Sequence, residues 1–160
     1  MRQRGTDMYK AMILAAAFGL SAGTCVAQTV IDASAAHVPN AQEAIRKVAG
    51  TFAQPSATRF RHLGARTVDG GAVVCGEVSP TASDSHFQQF GYVAGHDDPI
   101  VFANRPLPAT IPFGEVNAWI NDSVHLEDLE EMGCVPKGTY HAYSDRLNAR
   151  MNSRKQYGVN

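Results

Sequence analysis

The chain carries no excess of either charge. Its 14 Lys and Arg stand against 15 Asp and Glu in 160 residues, so no basic surplus exists to attract nucleic acid. No apolar run reaches the roughly 20 residues that a bilayer-spanning helix needs. The longest, "AMILAAAFGLSAG" at 11–23, is too short. CxxC, HExxH, an EF-hand loop, a phosphate-binding P-loop, a dinucleotide fingerprint and a G-x-S-x-G elbow are all missing, so no short motif announces a metal, a nucleotide or a serine nucleophile. No internal repeat or low-complexity block occurs. Cysteine is scarce, with three copies, and tryptophan is single.

What is present begins at the N-terminus. Arg2, Arg4 and Lys10 precede the apolar run, which leads into "TCVAQ". A basic lead, a short apolar stretch and small residues before a polar one make a secretory signal peptide over 1–27. Cleavage is expected after Ala27, and Met8 also opens a complete signal by itself. A lipoprotein acylated at Cys25 fits poorly, because Ala22 and Thr24 stand where a branched apolar and a very small residue belong. Cleavage removes Arg2, Arg4, Lys10 and Asp7, taking the charged counts to 11 basic and 14 acidic, a net charge near −3. The expected location is the periplasm or the exterior, with no transmembrane segment in the mature chain.

Export leaves two cysteines, Cys75 and Cys134. In an oxidising compartment an even pair reads first as a disulfide. An inert buried thiol and a reactive Cys75 remain as alternatives, the latter needing a base that the sequence cannot place.

Residues 28–39, "QTVIDASAAHVP", read as a flexible small-residue linker. A single α+β domain is expected over 40–158. Asn40 reads as an N-cap, with Glu43 reaching back as in a capping box. Ala41, Ala44, Ile45, Val48, Ala49 and Phe52 form one apolar helical stripe, and Pro55 forbids continuation. The period then changes. "TRFRHLGARTV" and "AVVCGEV" flank Asp69-Gly70-Gly71, a hairpin signal. "HFQQFGYVA" and "IVFAN" add strands, giving a meander of three to four antiparallel strands under the helix over 40–104. Gly76 inside a strand implies a bulge or a close approach. A Pro-rich connector follows, with C-terminal helices over 105–158. Leu126, Leu129 and Met132 mark the first, with Gly133 as its C-cap. Tyr140, Tyr143, Leu147 and Met151 mark the second.

The stretch "FAQPSATRFRHLGARTVDGGAVVCGEVSPTASDSHFQQFGYVAG" resembles an uncharacterised family of small exported proteins of Gram-negative bacteria, with a P-S-A-x-F-R … V-C-G-x-V pattern. Pro55, Ser56, Ala57, Phe60, Arg61, Cys75 and Gly76 carry the match, with Val74, Val78, Phe87 and Phe90. Gln54 and Ser79 depart from it, as does the loop "PTASDSH". The resemblance implies export and a shared helix–hairpin–strand framework that includes Arg61 and Cys75. It implies no activity.

Several polar groups are candidates for chemistry. His96, Asp97 and Asp98, with His86, form the most ligand-like local cluster, although "GHDDP" is also ordinary turn chemistry. The acids Glu127, Asp128, Glu130 and Glu131 read as a solvated helix face or a seat for a cation. Arg146, Arg150 and Arg154, with Lys155, form a row that faces solvent, an anionic surface or the acidic helix. Trp119 and the aromatics of "HFQQFGY" suit a core or a groove. No cofactor or metal is implied. The function expected is binding, as an envelope-associated accessory protein with an unknown protein or envelope partner, no nucleic acid partner and no evident catalysis. One alternative is a small periplasmic hydrolase or metal-dependent enzyme using His86, His96 and Asp98. Another is association with a membrane or cell-wall surface through Arg146, Arg150 and Arg154.

Overall fold

The computed structural model describes residues 28–83 and 85–156, the side chains of 154–156 excepted. The expected signal segment over 1–27, with Cys25, and the side chains of Arg154 and Lys155 fall outside the described residues. The fold is α+β. Strands β1 (Thr29–Val30), β2 (Arg59–Val68), β3 (Gly71–Ser79), β4 (Gln88–Val93) and β5 (Ile100–Phe102) form one sheet in chain order. Neighbours β2 to β5 pair antiparallel, and β1 joins β2 in parallel.

The β2–β3 hairpin turns on Asp69 and Gly70 alone. Both have positive φ, 50° and 81°, as a two-residue turn matching the strand twist requires. Upstream, Arg61 faces Glu77 and Gly64 faces Cys75, so His62 and Leu63 bulge opposite Gly76. A Cβ on Gly76 would lie 2.8 Å from the Phe90 ring. Gly76 therefore clears space for Phe90, which meets Phe60 edge-on with centroids 5.8 Å apart.

The bulge corrects the expectation of a linker at 28–39. A bulge frees backbone amides from the ladder, and this stretch satisfies them. The His62 amide donates to Asp32 Oδ2 at 2.7 Å, and the Leu63 amide to Ser34 Oγ at 2.9 Å. Beyond β1, residues Ala33–His37 form a 3-10 turn. The Ser34 hydroxyl and amide, together with the His62 amide, hold the Asp32 carboxyl below its ordinary value.

Helix α1 (Ala41–Ala49) buries Ala41, Ala44, Ile45, Val48 and Ala49 against Phe60, Val74, Val78, Phe90 and Tyr92 on one sheet face. The expected capping box is absent. Asn40 has φ 60° and makes no side-chain cap bond, because a left-handed residue cannot aim its side chain along the helix start as an extended N-cap does. Glu43 instead accepts the Tyr92 hydroxyl at 2.7 Å, tying α1 to β4.

The other sheet face carries α2 (Val116–Glu131) and α3 (Thr139–Gln156). Phe102, Ile111, Trp119, Leu126, Leu129, Tyr143 and Leu147 build this second core. Gly91 admits it: a Cβ there would lie 2.7 Å from Met132 Sδ and 3.1 Å from Cys134 Sγ. Cys75, opposite Gly91 in the ladder, forms a disulfide with Cys134 across 59 residues of chain. Glu130 closes the helix pair. Its carboxylate accepts the amides of Gly138 and Tyr140, both at 2.8 Å, at the start of α3.

Two outcomes are expected. Cys75→Ser with Cys134→Ser loses roughly 4 kcal/mol in denaturant unfolding, the loop-closure entropy that the bridge removes from the unfolded chain. The Asp32 carboxyl is depressed in the folded state, so its contribution is complete above the ordinary 3.8 and disappears as pH falls through the lower folded value. Urea unfolding from pH 7 down to pH 2 should show an acid-side loss that Asp32→Asn reduces.

Candidate functional site

The sequence-derived residues separate in space. His86 precedes β4 and His96 follows it, so they lie at opposite ends of a strand that spans roughly 17 Å at about 3.3 Å per residue. His86 Nε2 donates to the Ala103 carbonyl at 3.1 Å. His96 lies in the exposed turn after Gly95, its amide bonded to Val93 O. Asp97 pairs with Lys47 of α1, which pulls its carboxyl below the ordinary value, and Asp98 is exposed. The expected His86, His96 and Asp98 site is therefore corrected: strand β4 separates the histidines. Among the described residues no His, Cys, Asp and Glu side chains gather into a metal-binding group.

Pro55, Ser56, Ala57, Phe60, Arg61, Cys75 and Gly76 lie in one turn and the first hairpin. Pro55–Ala57 form a 3-10 turn closed by the Ala57 amide and the Thr58 hydroxyl. Phe60 is fully buried. Arg61 lies 3.7 Å over the Phe87 ring and pairs with Glu77 across the ladder. Cys75 is consumed by its disulfide, which closes the nucleophile alternative.

A different site emerges where the connector meets α3. A cleft of about 780 Å³ is lined by His86, Arg105, Leu107, Tyr143, Arg146 and Arg150, among others. That volume lies within the usual range for small-molecule sites. Helical spacing places Tyr143, Arg146 and Arg150 on one face of α3. The connector supplies Arg105, whose chain is turned by Asn104 at φ 48°. Arg105 stacks on Trp119 at 4.3 Å, and its Nε and Nη2 both donate to Asp122 Oδ2, at 3.2 and 2.7 Å. Its charge is thus matched by Asp122.

Arg146 and Arg150 are exposed, and neither has a carboxylate within ion-pair distance among the described residues. The acidic helix α2 spends Glu130 on the start of α3 and Asp122 on Arg105, so it does not neutralise the arginine row. Tyr143 is 5% exposed. Its ring meets Phe102 edge-on with centroids 5.4 Å apart, and its buried hydroxyl has no hydrogen-bond partner. Burial, then the nearby Asp122, push its pKa up against the opposing pull of Arg105 and Arg146. At neutral pH it is a neutral donor.

Sequence reasoning named Arg146 and Arg150 but missed Arg105, and it placed Tyr143 only in an apolar stripe. The available signal was "NRPLP", a cation just before two chain-stiffening prolines, together with Tyr143 three residues before Arg146. No family model, curated protein or solved structure matches the chain.

Tyr143→Phe deletes a buried polar atom that bonds to nothing, so it should leave stability unchanged or raise it by about 1 kcal/mol. Thermal and denaturant unfolding check this. A loss above that size would mean that the hydroxyl has a structural partner.

Proposed function

We propose that this is an exported binding protein of the bacterial envelope whose basic cleft captures an anionic ligand, acting as an accessory protein without chemistry of its own. The single observation that supports this reading is the meeting of two unmatched guanidinium groups and one unpartnered buried hydroxyl in one cleft. A buried donor without a partner costs stability, and such a group in a cleft marks a place where a ligand completes the bonding. Periplasmic or extracellular residence rests on the basic-then-apolar N-terminus and on the Cys75–Cys134 disulfide. No helix among the described residues is long and apolar enough to cross a membrane. The envelope-surface reading of the arginine row becomes more specific, because Arg146 and Arg150 face a cleft with Arg105.

The test has two arms. Mass spectrometry of protein exported by a Gram-negative host should find a chain starting at Gln28 with both cysteines oxidised. Titration with acetate, methyl phosphate and citrate, followed by amide NMR shifts, should perturb residues around Arg105, Tyr143, Arg146 and Arg150 with at least one anion binding below about 1 mM. The response should weaken in high salt and vanish in Arg146→Glu with Arg150→Glu. A retained leader sinks the export reading, and shifts spread evenly over the surface sink the cleft.

A further inference from the structure

The charge and donor count of the cleft restrict which anion suits it. Arg105 is matched by Asp122, leaving the charges of Arg146 and Arg150. These stand one turn apart on α3, an arrangement of like charges that disfavours the bare helix and is relieved by an anion between them. Each guanidinium presents a planar fork that binds two oxygens in parallel. The Tyr143 hydroxyl adds a third, neutral donor.

A carboxylate brings two oxygens and one negative charge. It fills one fork and leaves the other cation unmatched. A phosphodiester has the same shortfall, with two free oxygens and one charge. A phosphomonoester brings roughly −1.5 to −2 charges near neutral pH, which matches the residual charge of two, and three terminal oxygens that each accept more than one hydrogen bond and so serve both forks and the hydroxyl together. Pro106, Leu107 and Ala149 add an apolar stretch to a wall that also holds His86 and Asn104, and this stretch suits the organic part of such an ester.

We infer that the cleft is a phosphomonoester site, in which Arg146 and Arg150 clamp the terminal oxygens and Tyr143 donates to the third. This rests on the reading of the cleft as the binding site. The phosphomonoester has two possible sources, a soluble metabolite or a lipid headgroup, and both present the same terminal group.

Calorimetric titration of the full chain at pH 7.5 compares methyl phosphate, dimethyl phosphate and acetate. Methyl phosphate should bind at least about tenfold more tightly than either monoanion, because only it engages both charged forks. Arg146→Ala and Arg150→Ala should each cost about tenfold or more in methyl phosphate affinity. Arg146→Lys should recover only part of this, since it restores the charge without the fork. Tyr143→Phe should weaken methyl phosphate by several-fold with the fold intact by circular dichroism, whereas acetate binding should change little. Flotation with phosphatidylcholine vesicles containing phosphatidic acid or phosphatidylglycerol separates the sources. Retention by phosphatidic acid alone supports a headgroup, and methyl phosphate binding without retention supports a soluble ester. Equal affinity for methyl phosphate and either monoanion overturns the phosphomonoester assignment while the anion cleft stands. The absence of binding by all three overturns both.

Discussion

The packing on the sheet face that carries α2 and α3 depends on the contact around Gly91. That residue sits opposite Cys75 in the ladder, and its lack of a side chain lets Met132, Leu129 and Cys134 come down onto β4. The Cys75–Cys134 bond then fixes the end of α2 over β3. Without this close approach the second core would have no seat, and α3 would not stand beside the connector that carries Arg105. The disulfide is therefore both a staple and a positioning device, because it sets where the helix pair meets the sheet.

The opposite face follows another logic. There α1 lays an alanine-rich stripe against the aromatic residues of β2 and β4, and Gly76 yields its volume to Phe90. The bulge at His62 and Leu63 releases two amides, and Asp32 and Ser34 return to satisfy them. The first residues after the expected leader are thus part of the sheet's hydrogen bonding. Unsatisfied backbone donors are expensive near a protein interior, so the ordering of this stretch is driven by need elsewhere in the chain.

Stability and ligand capture diverge in the proposed cleft. Arg105 has been matched in full, through Trp119 and Asp122. Arg146, Arg150 and Tyr143 have not. Their meeting in one concavity distinguishes this place from an ion pair such as Lys47–Asp97 elsewhere on the surface.

Much of the architecture was legible from local pattern. The period of α1, the Asp69-Gly70 turn and the three to four meander strands each follow from neighbours in sequence, since helical spacing, positive φ at glycine and alternation are short-range constraints, while the cysteine pairing was read from the even count that an exported chain would keep. The capping role of Asn40 fails on its left-handed backbone, and the linker reading of 28–39 fails because Asp32 and Ser34 answer to distant partners, the bulged amides of His62 and Leu63. The His86 and His96 grouping failed because ten residues of separation become opposite ends of a strand once the chain is extended. By itself the sequence determined the three α-helices, the antiparallel strands and the chemical identity of the cations. Only the tertiary structure decided which cations were neutralised. It alone brought Arg105 from the connector to the face of α3 and left the Tyr143 hydroxyl without a partner, because ion pairing and burial depend on distances that no local pattern encodes.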